Sequence, residues 1–405
     1  MISQRYLAGL SAEPSHGVLE AAAICVTGSG TSLRVQRIAA DVLPCPVALH
    51  GSGTWATGNV QDIRLWISLS ATLAQALLEA LRKATDRLGI SWHELLCAGL
   101  SEPYLILEPH EHGAFGLQLP LAALLAELTG ISMAHAFGSR DFAAGGQGMP
   151  VVATADWILF HSPAEDRVVV HLGDIFWMHW LPRNGSWQQM RGAVVGPGLA
   201  WLTALAWALN FGRESSDRLG HLAVQGRVRH DLMARWQSHP ALLRRNTRGI
   251  SLWAFGYEWT QSTVQLARQR GWPGFDILCT AHHWLAILVA DTLKQLVQDT
   301  DAARVIVTGH GQRNGFLWRL LEEKLVGLRV ERSDVHGVPA EATQAIRSAI
   351  LAGLLLDQEP ASVPNLTGSS GPRMLGEWAP GSLSNWSRCL QWMTTGTDPQ
   401  MWEEP

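Results

Sequence analysis

The sequence predicts an α/β protein made of two related domains with a cleft between them. Two observations lead there. A glycine-bearing hairpin followed by alternating helices and buried strands occurs twice along the chain, once in each half. The chain's 405 residues, 47% apolar and 16% charged, also suit a folded chain of about two domains at roughly 100–200 residues each.

In the first half, the apolar run Ala21–Val26, the turn Thr27-Gly28-Ser29-Gly30-Thr31 and the partly alternating stretch Leu33–Val42 read as a hairpin. Ile67–Leu88 has apolar residues at helical spacing, charges gathered near its end and Gly89 as a stop. Trp92–Gly99 leads into a short buried strand, and Pro120–Leu128 is a second helix ended by Thr129-Gly130. In the second half, Arg167–Leu181 is strand, turn at Gly173-Asp174, and strand. Leu199–Leu209 and Asp276–Leu296 are helices. Arg304–Thr308 is a buried strand running through Gly309-His310-Gly311 into a helix over Phe316–Val326, and Gln344–Leu356 is a further helix. The segment after Pro380, with Trp386, Trp392 and Trp402, carries no pattern that places it.

Composition closes several doors. A formal net charge of −4 argues against a nucleic-acid binder, which needs a basic patch to neutralise phosphates. The most apolar run, Leu199–Phe211, falls far short of the ~20 residues of a membrane span and reads as a buried helix. The N-terminus lacks the apolar core and cleavage site of a signal peptide, and five widely spaced cysteines without a CxxC fit a reducing compartment. A cytoplasmic location is therefore expected. Lysine occurs only at Lys83, Lys294 and Lys324, and 19 tryptophans outnumber 9 phenylalanines and 3 tyrosines.

Four motifs carry candidate chemistry. Gly309-x-Gly311 between a strand and a helix is the placement in which backbone amides approach a nucleotide, although a plain strand-to-helix turn gives the same pattern. Gly145-Gly146-Gln147-Gly148 permits positive φ and close backbone approach, and serves a binding loop or a tight interdomain connection. Gly196-Pro197-Gly198 precedes a helix, as an anion site or a simple helix start. Glu108-Pro-His110-Glu111-His112 has metal-ligand residue types but reads better as a solvated loop, and at least one of His282 and His283 reads as core.

Together these stretches resemble the anhydro-N-acetylmuramic acid kinases of the actin-like sugar-kinase superfamily, from about Ala8 to Pro380. The strongest element is Phe137-x-x-x-Asp141-x-Ala143-Ala144-Gly145-Gly146-Gln147-Gly148-Met149-Pro150. Gln118 in Gly116-Leu117-Gln118, Gly196-Pro197-Gly198, Gly226-x-Val228 with His239-Pro240, the glycine-rich adenosine loop at Gly309, Gly311, Arg313 and Asn314, and Pro364-Asn365-Leu366-Thr367-Gly368-Ser369 support it. The resemblance implies two actin-like (ribonuclease H-like) domains, residues 1–134 plus 363–385 and residues 135–362, with a C-terminal tail over 386–405. It also implies ATP with Mg²⁺, phosphorylation of 1,6-anhydro-N-acetylmuramic acid in peptidoglycan recycling, and a homodimer. Its sugar-facing residues are Gln118, Asp141, Gly145, Gly146, Gln147, Gly148, Gly196 and Gly198.

The departures fall on the chemistry. The family's first phosphate turn, Ser-Gly-Thr-Ser-x-Asp-Gly, reads Ser11-Ala12-Glu13-Pro14-Ser15-His16-Gly17. Proline removes an amide donor, Glu13 adds negative charge, and His16 replaces an oxygen ligand suited to Mg²⁺. The second turn reads His171-Leu172-Gly173-Asp174-Ile175-Phe176-Trp177, with a carboxylate and a ring where the family keeps glycine and amide. Val194 stands at the catalytic aspartate, and valine takes no proton. The sugar-facing His-Gly-Gln-Thr is Ser101-Glu102-Pro103-Tyr104, an expected arginine is Gly138, and Lys-Ser-Thr-Gly-Arg-Glu reads Asn246-Thr247-Arg248-Gly249-Ile250-Ser251.

Loss of a general base typically costs 10²–10⁴ in rate, and loss of phosphate grip and metal ligand removes the positioning on which phosphoryl transfer depends. The expectation is a pseudokinase that acts by binding an amino sugar, a cell-wall-derived small molecule or an active relative. Against it stand a divergent active kinase, with Asp174, Asp141 or Glu13 as base or metal ligand, and a different enzyme using His171, Asp174, Glu13 and His16. Trp177 and Trp180 are expected to fill a rebuilt cleft.

Overall fold

The computed structural model describes residues 4–13, 17–45, 60–110, 113–209, 217–239, 257–297 and 304–398. The chain opens with three strands, β1 (Gln4–Glu13), β2 (Val18–Thr27) and β3 (Arg34–Pro44), followed by helix α1 (Val60–Leu88). Next come β4 (Leu95–Ser101), the hairpin β5 (Tyr104–His110) and β6 (Gly113–Gln118), α2 (Ala122–Thr129), β7 (Met133–His135), and the short α3 (Ser139–Ala143). Helix α4 (Ala153–Phe160) then leads into β8 (Arg167–Leu172), β9 (Ile175–Leu181) and β10 (Arg191–Pro197).

Helices α5 (Leu199–Ala208), α6 (His230–Gln237), α7 (Tyr257–Arg270) and α8 (Gly274–Val297) precede β11 (Arg304–Thr308), α9 (Gly315–Lys324) and β12 (Arg329–Arg332). The chain continues through α10 (Thr343–Leu356), α11 (Pro364–Thr367), β13 (Glu377–Ala379) and α12 (Leu383–Thr395).

The duplication expected from the sequence is a duplication of topology. In the first sheet the order is β13-β7-β4-β1-β2-β3, in the second β10-β9-β8-β11-β12. Each contains an antiparallel three-stranded meander whose first strand pairs in parallel with the next strand of the unit. Alternation decides the layers. Leu19, Ala21 and Ala23 of β2 point to α1 and α2, whereas Ala22, Ile24 and Val26 point to a central layer made of α4 and α10. In the second sheet Val168, Val170, Val305 and Val307 face the outer helices α5–α9, while Val169 and Ile306 face the centre. Five layers result, helix–sheet–helix–sheet–helix.

Helices α4 and α10 are the two segments that carry the chain from the first sheet to the second and back. Helix α10 rides so close to the first sheet that a Cβ at Gly9 would lie 1.8 Å from the Ala345 carbonyl and one at Gly99 1.9 Å from that of Ser348. Only glycine permits that approach. The chain rejoins the first sheet at β13, after α10 has packed on it. The supposed tail over 386–405 begins inside α12. That helix buries Asn385, Arg388, Cys389 and Trp392, and the Trp392 indole donates to Asp357 Oδ1 (2.8 Å) while Arg5 pairs with the same carboxylate (2.5 Å).

Inside the central layer lies a buried polar cluster. Arg347 of α10 and Asp156 of α4, both 0% exposed, pair through Nε and Oδ1 at 2.7 Å. The Arg347 guanidinium also donates to Thr308 Oγ1 (3.0 Å) and His171 Nδ1 (3.0 Å), and Asp156 Oδ2 accepts from His179 Nδ1 (2.9 Å). Trp177 stacks on His171 at 4.6 Å between centroids, lies 4.5 Å from the His179 ring and receives the guanidinium over its face at 4.8 Å.

Breaking a buried pair from one side leaves an uncompensated charge, so Arg347→Met is expected to lower unfolding free energy by about 3–5 kcal/mol. The double variant Asp156→Leu/Arg347→Met should lose less than the sum of the two single ones in a urea titration.

Candidate functional site

Three segments converge where the two sheets meet. The turn Gly173-Asp174 joins β8 to β9, and a Cβ at Gly173 would lie 2.3 Å from His171 Nε2, so the turn sits directly on that ring. The Gly309–Asn314 loop packs against it: a Cβ at Gly309 (φ +83°) would strike His171 at 2.8 Å, and one at Gly311 would meet the Leu172 Cβ at 2.5 Å. These glycines are required by the packing of the two loops. The third segment is β2, whose Glu20 meets His310 of that loop at 2.8 Å; at the far end of the meander Glu13 closes β1 opposite Val18. Pro14, Ser15 and His16 lie outside the described residues, and Gly17 (φ +62°) is held through its carbonyl by the Cys45 amide (2.8 Å).

Ser11 ends up buried opposite Glu20 on β2 and Ser101 on β4, its hydroxyl making no hydrogen bond among the described residues. Arg313 forms ion pairs with Glu341 (2.7 Å) and Asp334 (3.0 Å). Asn314 is a helix cap: its Oδ1 accepts from Leu317 N (2.9 Å) and its Nδ2 contacts His282 Nε2 (3.0 Å). His282 is buried, as the sequence reading required.

The sugar-facing set forms a second group. Asp141, 0% exposed, accepts from Gly148 N (2.8 Å) and Thr367 Oγ1 (2.6 Å), and a Cβ at Gly146 would sit 2.1 Å from its Oδ2. Gly145 and Gly148 adopt φ +81° and +64°. Gln147 is buried, with its amide donating to the Thr367 carbonyl (3.0 Å). Asp141 thus shapes the loop from within. Gln118 Nε2 donates to the Glu102 carbonyl (3.2 Å), and β6 runs beside α3. Helix α11, which carries Thr367, packs against β10, bringing this loop near the strand that holds Val194.

Val194 lies opposite Trp177, next to a bulge that precedes Gly196. Gly198 caps α5, whose first amide donates to the Gly173 carbonyl (2.9 Å); that amide serves the turn and not an external anion. A Cβ on Gly198 would come within 2.4 Å of the same oxygen.

Two expectations are corrected. Trp177 lies in the central layer beneath the turn, while Phe176 and Trp180 face the outer core of the second sheet. The tryptophans divide between that outer core and the central layer; in the outer core Trp201, Trp236, Trp259 and Trp284 pack with ring centroids 4.5–6.0 Å apart. Glu108–His110 belong to a strand and not to a loop, and Glu111 and His112 lie outside the described residues, as do Pro240 and Asn246–Ser251.

Glu20, Asp156, His179, Thr308 and Arg347 were missed by sequence reasoning, and Thr367 entered only within the Pro364–Ser369 motif. A signal existed for two of them. Glu20 interrupts the apolar run Val18–Val26, and Arg347 is the sole charge in α10; a lone charge on a buried element must find a partner.

A three-stranded meander whose first strand pairs in parallel with a further strand, present in both sheets, is a ribonuclease H-like topology repeated within one α/β protein. The family model for anhydro-N-acetylmuramic acid kinase matches residues 5–381, and the chain belongs to that family. It is 32% identical to the anhydro-N-acetylmuramic acid kinase of Ralstonia nicotianae over 384 residues, covering 93% of this chain and 97% of that one. The Acaryochloris marina kinase is 27% identical over 377 residues, covering 92% and 99%, and the Nitrosospira multiformis kinase 31% over 310 residues, covering 76% and 81%. Among the described residues no helix is long and apolar enough to cross a membrane.

The histidines set the acid response. Burial holds His179 and His282 below the usual histidine range, partly offset by the Asp156 bond at His179 and by the Leu278 carbonyl at His282. The unfolded chain therefore binds protons first, and the stability these rings contribute above about pH 6.5 is lost as pH falls. His135 runs the other way: burial would lower it, but the bond to Glu102 raises it overall, so its contribution is lost as pH rises through its raised value. The melting temperature is expected to fall from pH 7 to pH 5, and His282→Gln should lower it at pH 7 while flattening that slope.

Proposed function

We propose that this member of the family is a pseudokinase: a two-lobed scaffold that binds an amino sugar or cell-wall-derived fragment without transferring phosphate to it. The observation that carries this reading is the environment of Val194. At the position where the family's base belongs stands an apolar side chain opposite Trp177. The nearby carboxylates are committed elsewhere, Asp141 to its own loop and Asp156 to Arg347 and His179. The reading of a divergent active kinase needs Asp174, Asp141 or Glu13 to act as base or metal ligand, and of these Asp174 lies on the turn beside Gly198. Asp174 is half-buried there.

The sugar-side loop supports binding. Gly145–Gly148 keeps its backbone shape through Asp141 and Thr367, so a ligand meets a preformed surface. Whether the chain pairs with itself or with an active relative belongs to the same proposal, as does a place in the cytoplasm.

Calorimetric titration with 1,6-anhydro-N-acetylmuramic acid, followed by a phosphorylation assay with Mg·ATP, tests it. Binding of the sugar with no phosphorylated product is expected, and Val194→Asp alone should not restore turnover, because positioning and charge stabilisation remain absent. Turnover by the wild-type chain that Asp174→Ala abolishes would establish the active-kinase reading instead.

A further inference from the structure

The residues present do not fit a nucleotide's polyphosphate in the conformation described. Where β2, the Gly173 turn and the Gly309 loop come together, a contact of the chain's own crosses between the two sheets. Glu20, 1% exposed on β2, places Oε2 on the amides of Gln344 and Ala345 at the start of α10 (3.1 Å each) and Oε1 on His310 Nε2 (2.8 Å). His310 lies between the two glycines of the loop expected to face adenosine.

A carboxylate on the first amides of a 14-residue helix takes the donors and the positive dipole end that otherwise attract a phosphate. Ser11, buried opposite Glu20, adds a hydroxyl that makes no hydrogen bond among the described residues. It lies on the α10-facing side of β1, two residues beyond Gly9, which touches Ala345.

We propose that Glu20 and His310 form a lobe-spanning lock that stands in the path of a nucleotide's phosphates, so that a nucleoside polyphosphate enters only by displacing the Glu20 carboxylate. The inference rests on the family assignment of those three segments to the nucleotide. It extends the pseudokinase reading from missing chemistry to excluded ligand. Two anions in one poorly solvated site repel, and the lock also ties the first sheet to the loop of the second, so opening must break both ends of it.

Titration of the full chain with Mg·ADP, in wild type, Glu20→Gln and His310→Ala, tests the lock. Gln keeps an oxygen acceptor for α10 but loses the charge, and His310→Ala leaves the Glu20 cap in place should the first variant fold poorly. Each variant is expected to bind Mg·ADP at least tenfold more tightly than wild type. The double variant should gain less than the product of the two single gains, since both break one contact. Affinity equal in all three proteins, or no binding by any, overturns the lock. Phosphoryl transfer by the wild type would overturn the pseudokinase reading and leave the comparison of affinities intact, so the two failures are distinguishable.

Discussion

The fold hangs on one buried ion pair. Asp156 and Arg347 sit on the two helices that cross between the sheets, so their bond fastens the outgoing and returning chain at a single point. Two unpaired charges could not remain there, because desolvating each would cost several kcal/mol. The guanidinium does more than neutralise. It reaches His171 and Thr308 at the ends of β8 and β11, directly beneath the Gly173 turn and the Gly309 loop. The position of both loops is thus tied to the hinge between the lobes.

This arrangement separates what the chain keeps from what it has lost. The glycines that allow close packing remain where a Cβ would collide: Gly9 and Gly99 under α10, Gly146 beside Asp141, Gly173 over His171. Such positions answer to shape. At the sites that answer to chemistry, Val194 lies opposite Trp177 and Glu20 holds the helix terminus a phosphate would need. Under the proposal that turnover is lost, selection acts on shape alone, and the buried polar cluster supplies that shape from within the chain.

Much of the fold was legible from the sequence for a local reason. Hairpin turns, periodic helices and the strand over Arg304–Thr308 announce themselves through alternation, glycine stops and apolar runs. The unread parts depend on distant partners. Helix α12 looks like a tail because its burial comes from Arg5 and the start of β4, hundreds of residues away, and from Asp357, 35 residues back. Trp177 and Trp180 were assigned to one cleft because adjacency on a hairpin says nothing about which face a residue takes until the register is known. The glycine-rich loop and the turn glycines were identified as site elements, yet the residues that organise them, Asp156, Arg347 and Thr367, required the three-dimensional pairing.

With the Glu20–His310 contact proposed as a lock, the lobes are held by the chain itself and are not expected to close on a nucleotide. Small-angle X-ray scattering of the full chain, with and without saturating Mg·ATP, tests it most directly. The account predicts the same radius of gyration and distance distribution in both states. Compaction on adding Mg·ATP, of the size expected for two lobes rotating together, would contradict it.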